Sequence, residues 1–232
     1  MSNSMKLVIF ILSLFVFIIG STIINMILAG IPATQSETGL LPVISGYFNI
    51  MFSTMLLYLS QGYFRIIYTR KVMNKLGSHN VIGKYPIAPF RIVDRIIIYV
   101  FASLSIIFPL FNGETLKQYT AWGIALLIIF IIITEILFKF FHKTMKILVT
   151  DKGIAIIGFD PRLELPINAN YPNGSGFYTF DRIEGFRYMK KKLVLYQTYD
   201  LGTITINAPE DDIKRIKGLL LKNHVPESRL NK

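Results

Sequence analysis

The chain contains no cysteine, and its histidines are limited to His79, His142 and His224. The absence of cysteine excludes disulfides, thiolate metal sites and cysteine nucleophiles. The three histidines lie far apart in sequence and do not have the spacing of metal ligands. No HExxH motif, glycine-rich phosphate loop or pair of intramembrane aspartates occurs. We therefore expect a protein that is not an enzyme and that binds no cofactor or metal.

Charged residues are also scarce, at 17% of 232 residues, compared with about 25% in a typical soluble domain. Hydrophobic residues make up 52% and are concentrated before Phe141, which is typical of membrane spans rather than of a soluble core. The net charge is +11, and a strongly positive charge is typical of nucleic-acid-binding proteins. Here, however, most of the cations flank apolar runs. Such flanking follows the positive-inside rule, so no nucleic-acid partner is expected.

Four apolar runs predict an all-α membrane domain over residues 1–143. The first run is longer than the apolar core of a secretory signal, which has about 7 to 15 residues, so we interpret it as an uncleaved helix. The third run is the shortest, contains Pro109 and spans only if it extends inward past Asp94 and Arg95. The four predicted transmembrane helices cover about residues 7–29, 41–66, 93–111 and 120–141.

The charges of the connecting loops alternate along the chain. The loop between the first two runs carries Glu37, and the loop between the last two carries Glu114 and Lys117. In contrast, the stretch from Arg65 to Arg95 around the connection between the second and third runs carries seven Lys or Arg residues, and three lysines follow the fourth run. This alternation predicts a multi-pass protein of the cell membrane with both its N-terminus and its C-terminus in the cytoplasm.

After His142 the pattern changes to short strands, which predicts a small cytoplasmic α+β domain over residues 144–225 and a polar tail over 226–232. Residues 145–150 and 154–158 flank a turn at Asp151 and Gly153, as in a β-hairpin. Further strand candidates cover 177–180, 183–189, 193–200 and 202–208. Pro209 then opens an amphipathic helix that extends to residue 222 and closes a curved antiparallel sheet.

Several segments of this region carry a family resemblance. They are the run FDRIEGF from Phe180 to Phe186, the run KKKLVLY from Lys190 to Tyr196, and a last strand passing into a helix opened by Pro209. In these features the chain resembles bacterial four-helix membrane proteins of uncharacterised function with a C-terminal pleckstrin-homology-like domain, of the YcxB-like type. The resemblance covers residues 145–223, but Phe180 stands where tryptophan is frequent and the loop 160–176 is long.

The resemblance implies a sheet-and-helix module that contacts proteins or the membrane surface. Some members are associated with self-protection against secreted bacteriocins or with envelope stress. The family supplies no catalytic residues to carry over.

Two sets of residues are candidates for function. Basic side chains in the second loop and near the predicted hairpin tip are positioned to contact an anionic inner leaflet, although solvated lysines are also ordinary at a hairpin tip. These candidate membrane-surface contacts are Arg70, Lys71, Lys75, Arg187, Lys190, Lys191 and Lys192.

The second set consists of the intramembrane polar residues Asn25, Asn49 and Glu135. Asn25 and Asn49 either join two helices by hydrogen bonding or line a polar path. Glu135 either pairs with Lys139, four residues later on the same helix, or forms a proton or cation site.

The sequence thus favours a membrane-anchored, non-catalytic module whose cytoplasmic domain binds a protein partner or the inner leaflet. Bacteriocin immunity or envelope stress is the context that the resemblance implies. The alternative is a small transporter, or an accessory subunit of one, that uses the polar residues within the helix bundle.

Overall fold

The computed structural model describes residues 3–30, 40–77, 80–112, 120–163, 172–189, 191–198 and 202–228. Over these ranges the chain combines a helical part with two antiparallel sheets. The helices are α1 Asn3–Ala29, α2 Leu40–Lys75, α3 Val93–Asn112, α4 Thr120–Thr144 and α5 Glu210–Lys222. The strands are β1 Val81–Pro86, β2 Lys146–Thr150, β3 Gly153–Ile157, β4 Gly176–Thr179, β5 Ile183–Met189, β6 Lys192–Gln197 and β7 Thr203–Asn207.

Two helices are long and apolar enough to cross a membrane, namely the segments Ser4–Ala29 and Ala121–Thr144. Only 11% and 17% of their most apolar windows are buried, whereas the core helix of a soluble protein is mostly buried. Their large aliphatic side chains therefore form an exposed apolar surface that suits contact with lipid. Over the described residues neither α2 nor α3 meets this condition of length and apolar composition, so the prediction of four spans is supported here only for the first and the fourth.

Helix α2 continues well beyond the predicted end of its span at residue 66. Its 36 residues give a length of about 54 Å at 1.5 Å per residue, compared with about 30 Å for the hydrocarbon core of a bilayer. The last turns carry Val72 and Met73, which pack against Leu148, Ala155 and Phe177 of the first sheet. The extension of α2 is thus a support for that sheet.

The first sheet has the strand order β1-β2-β3-β4. Strands β2 and β3 form the predicted hairpin, with Leu148 opposite Ala155. Strand β1 pairs with β2 from Val81 opposite Thr150 to Pro86 opposite Lys146. The sheet therefore includes a strand that precedes the predicted boundary at residue 144. This strand gives a weak sequence signal because it is short, is bulged near Gly83 and ends at a proline.

Strands β2 and β3 are buried on both faces. Ile147, Val149, Ile154 and Ile156 point into the main core, whereas the alternate residues pack on α2. Burial on both faces explains why these strands are continuous apolar runs instead of alternating apolar and polar residues.

The second sheet has the order β5-β6-β7 and shares its core with the first sheet and with α5. Here apolar and polar positions do alternate, with Ile204 and Ile206 buried between half-exposed threonines. Helix α5 begins after Pro209, as predicted, and buries Ile213, Ile216 and Leu220. The single curved sheet that we predicted is therefore two antiparallel sheets packed with one helix.

The beginning of the predicted polar tail is held against β5. The N–H of Phe186 donates to the carbonyl of Pro226 at 3.0 Å, and the N–H of Ser228 donates to the carbonyl of Phe186 at 2.8 Å. Lys217 of α5 also pairs with Glu227 at 2.7 Å. Residues 226–228 therefore cover an edge of the second sheet.

Candidate functional site

The segment that follows β3 runs from the sheet into the helical part. Gly158 has φ +106°, a conformation that side chains disfavour, and turns the chain away from the sheet. The ring of Phe159 stacks on Phe141 of α4 with a centroid distance of 4.1 Å. A Cβ atom on Gly62 of α2 would lie 2.7 Å from the carbonyl oxygen of Asp160. Gly62 therefore lets the backbone of this segment lie directly on α2.

At this contact a carboxylate is buried between two guanidinium groups. Asp160, Arg65 and Arg162 are 1%, 2% and 2% exposed. Arg162 donates from Nε and Nη2 to the two carboxylate oxygens of Asp160 at 2.8 and 2.7 Å. Nη1 of Arg65 lies 3.5 Å from Oδ2 of Asp160. Because Arg65 belongs to α2 and the other two residues to the segment after β3, this Asp160 cluster joins the helices to the sheets.

Backbone carbonyls and a side-chain amide accept further hydrogen bonds from both guanidinium groups. Arg65 donates to Oε1 of Gln61 at 2.5 Å and to the carbonyl of Arg162 at 2.9 Å. Arg162 donates to the carbonyls of Pro172 and Asn173, both at 2.8 Å. Such supplementary hydrogen bonds are needed to offset the desolvation of buried charges.

The cluster reaches the second sheet through Asn173. The side-chain Oδ1 of Asn173 accepts from the N–H of Thr205 at 2.7 Å, and its own N–H donates to the carbonyl of Thr203 at 2.8 Å. The guanidinium of Arg162 also lies over the ring of Phe90, 5.1 Å from its centroid. The Asp160 cluster therefore contacts α2, the connection from β1 to α3, and β7.

The charges of the cluster determine the protonation of Asp160. Burial by itself raises the pKa of this carboxyl, but the attraction and hydrogen bonds of Arg162, followed by the attraction of Arg65, outweigh burial and lower the pKa to about 2. The carboxylate therefore stays ionised at neutral pH. An ionised carboxylate held on both sides is suited to joining structural elements and not to exchanging protons.

Glu135 takes part in a second cluster, between α3 and α4. Its carboxylate accepts hydrogen bonds from the Arg95 guanidinium and the Tyr99 hydroxyl, both on α3. A pair with Lys139 on the same helix was one of the two predicted alternatives, but the carboxylate is bonded to side chains of α3 instead. The observed interaction therefore connects neighbouring helices.

Asn25 of α1 and Asn49 of α2 lie together where the two helices meet. Nδ2 of Asn49 donates to Oδ1 of Asn25 at 2.6 Å, and the hydroxyl of Ser53 donates to Oδ1 of Asn49 at 3.1 Å. The three side chains form a chain of hydrogen bonds between α1 and α2. Hydrogen bonds of this kind between membrane helices contribute about 0.6 kcal/mol each.

The predicted surface cations lie in two places. Arg70, Lys71 and Lys75 are exposed on the last turns of α2. Arg187, Lys191 and Lys192 are exposed on the hairpin of β5 and β6, and Lys190 lies outside the described residues.

Within the described ranges, no three or more His, Asp or Glu side chains are grouped closely enough to hold a metal ion. In comparisons with known proteins, the chain matches no family model, no curated protein and no solved structure.

Sequence reasoning missed the Asp160 cluster. We counted Arg65 among the cations that set topology, and treated residues 160–176 only as a long loop. One signal was present, since Gln61 and Arg65 are four residues apart and so lie on one face of the helix within its predicted span. A polar pair in that position indicates a partner from another part of the chain.

Replacing Asp160 with asparagine should destabilise the protein by about 3–5 kcal/mol, because it leaves two buried guanidinium groups without a counter-charge. The free energy of unfolding of the detergent-solubilised chain, followed by circular dichroism, measures the effect. Asp181→Asn is the control, since Asp181 is exposed and its replacement should change stability by no more than about 0.5 kcal/mol. Equal effects of the two substitutions would contradict the structural role of the cluster.

Acid should remove the contribution of Asp160 over a defined pH range. The pKa is lowered from 3.8 to about 2 on folding, so the stabilisation is complete above about pH 4 and is lost as pH falls toward 2. Its size is on the order of 2 kcal/mol. Unfolding curves at pH 6, 4 and 2.5 should show the difference between wild type and Asp160→Asn shrinking only at the lowest pH. A difference that stays constant across this series would disprove the assignment.

Proposed function

We propose that this protein is a membrane-anchored, non-catalytic binding module. In this proposal the four helices span the cell membrane over about residues 7–29, 41–66, 93–111 and 120–141, and both termini lie in the cytoplasm. The sheets and α5 form a pleckstrin-homology-like unit at the cytoplasmic ends of the helices. The exposed apolar surfaces of α1 and α4 and the alternating loop charges support this arrangement.

The observation that carries the proposal is the buried junction between the helices and the sheets. The Asp160 cluster and the packing of β2 and β3 on α2 attach the α+β part to the bundle on two sides. A part attached in this way is held at a fixed position relative to the helices. If α2 spans the bilayer, the exposed cations of α2 and of the β5–β6 hairpin are therefore presented on the cytoplasmic side.

That surface is the one that we propose for binding. Basic side chains near an anionic leaflet contribute about 1 kcal/mol each, so several of them together suffice for a stable surface contact. A protein partner with an acidic surface would use the same cations. The biological context is proposed from the family resemblance, namely protection against bacteriocins or against envelope stress.

The pairing of the intramembrane polar residues favours an anchor over a transporter. Asn25 and Asn49 are hydrogen-bonded to each other, and Glu135 is held by Arg95 and Tyr99. A transport site needs polar groups that can exchange partners with a substrate. Groups that already satisfy one another between helices serve the association of those helices.

The proposed topology can be tested by cysteine labelling, since the natural chain has no cysteine. In intact cells, a membrane-impermeant thiol reagent should label Glu37→Cys and Lys117→Cys but neither Lys75→Cys nor Lys214→Cys. After the cells are permeabilised, Lys75→Cys and Lys214→Cys should also be labelled, because both positions are exposed. Labelling of Lys214→Cys in intact cells would place the α+β part outside and overturn the proposal.

The proposed function can be tested by complementing a strain that lacks the gene and scoring survival under bacteriocin or envelope-damaging treatment. The full chain and Glu135→Gln should restore survival, whereas a chain ending at Thr144, which lacks the binding unit, should not. Membrane levels of each variant are measured by immunoblotting, and only variants that accumulate to equal levels are compared. Rescue by the truncated chain together with failure of Glu135→Gln would instead indicate transport.

A further inference from the structure

A polar cavity lies where the connection from β1 to α3 meets the second sheet. Its volume is about 350 Å³, within the range of pockets that hold small ligands. Three parts of the chain form it: the connection and the start of α3, the segment carrying Arg162 and Asn173, and strands β6 and β7. The residues lining it are Ile87, Ala88, Pro89, Phe90, Arg91, Asp94, Arg162, Pro172, Asn173, Lys192, Thr205 and Asn207.

The lining is positively charged, with three cations and one carboxylate. Arg162 is already engaged with Asp160 and with two backbone carbonyls. Arg91 and Lys192 are both exposed, and they come from different parts of the chain, the connection before α3 and strand β6. Two cations that face a shared polar cavity suit a compact anion with several acceptor oxygens, such as a phosphate group.

Asp94 offsets only one of these three positive charges, and its carboxylate is buried and accepts a hydrogen bond from backbone. Its Oδ2 accepts from the N–H of Arg91 at 2.7 Å, whereas its Oδ1 lies 3.8 Å from the Arg91 guanidinium. The side chain of Arg91 is 61% exposed, so its ion pair with Asp94 is weak. The guanidinium of Arg91 is therefore able to turn toward a ligand while the backbone contact holds its Cα in place.

Exposed apolar residues come directly after Arg91 in the sequence. Ile92 is 71% exposed and Val93 is 52% exposed, and Ile96 continues the same exposed apolar surface along α3. A soluble anion would gain nothing from these residues. A molecule with a phosphate group and acyl chains would contact the polar cavity and the apolar surface together.

We infer that this cavity binds the phosphate group of an anionic phospholipid, with the acyl chains lying along Ile92, Val93 and Ile96. This inference rests on the proposed function, because it requires the start of α3 to lie at the cytoplasmic surface of the bilayer. The inference also separates the predicted surface cations into those that line the cavity and those that lie outside it. Lys192 lines the cavity, whereas Arg187 and Lys191 are exposed elsewhere on the same hairpin.

Thermal unfolding of the purified full chain in an uncharged detergent, titrated with short-chain phosphatidylglycerol, tests the inference. Ligand that binds the folded state raises the unfolding temperature and gives an apparent Kd. Arg91→Gln with Lys192→Gln should weaken binding by roughly fivefold for each cation removed. The matched control, Arg182→Gln with Lys222→Gln, removes the same charge from exposed positions outside both the cavity and the proposed binding surface, and should change Kd less than twofold.

Short-chain phosphatidylcholine and inorganic phosphate identify the source of the phosphate. Both should stabilise the wild-type chain much less than phosphatidylglycerol at equal concentration. Equal stabilisation by inorganic phosphate would indicate a soluble anion, and equal stabilisation by phosphatidylcholine would remove the preference for anionic lipid. No stabilisation of the wild type, or the same weakening in both double variants, would also overturn the inference.

Lys192→Gln alone keeps the test decisive if the double variant fails to fold, since it removes one exposed side chain and leaves the Arg91–Asp94 contacts intact. The cysteine-labelling pattern distinguishes the two levels of the proposal. If labelling places the C-terminal part in the cytoplasm and phosphatidylglycerol gives no stabilisation, this inference fails while the proposed topology stands. If labelling places that part outside, both fail.

Discussion

The burial of one carboxylate between two guanidinium groups determines how the two parts of the chain meet. A lone ionised Asp160 could not be buried, and Arg65 could not lie within an apolar helix without a partner. Each charge therefore requires the other parts to be in place: α2 supplies Arg65, the segment after β3 supplies Asp160 and Arg162, and the segment ending at Asn173 supplies carbonyl acceptors. The cluster makes the docked arrangement specific as well as stable.

The same junction explains the composition of the first sheet. Because α2 continues past its apolar run, it covers the face of β2 and β3 that would otherwise be exposed to solvent. Both faces then need apolar residues, which gives the unbroken runs at 147–149 and 154–156. In the second sheet, Thr203 and Thr205 are half-exposed in the part of the chain that the structure describes, and the strands alternate accordingly. One long helix thus accounts for the difference between the two sheets.

The local signals in the sequence were sufficient for most elements but not for their long-range partners. The turn at Asp151 and Gly153 identified the first hairpin, and the spacing of Ile213, Ile216 and Leu220 identified α5. Strand β1 was missed because Gly83, Lys84 and Pro86 give no apolar alternation, and its pairing depends on β2, about sixty residues later. The contact between Arg65 and Arg162 spans 97 residues, beyond the reach of any local pattern.

Helices α3 and α4 are inserted in the sequence between two strands, β1 and β2, that pair with each other. Pro86 lies opposite Lys146, so the strand that leads into α3 and the strand that leaves α4 are joined side by side. Any movement that spreads the ends of α3 and α4 apart must pull on this ladder of hydrogen bonds. The α+β part is therefore mechanically coupled to these helices, and a displacement of either helix would reach its core directly through β1.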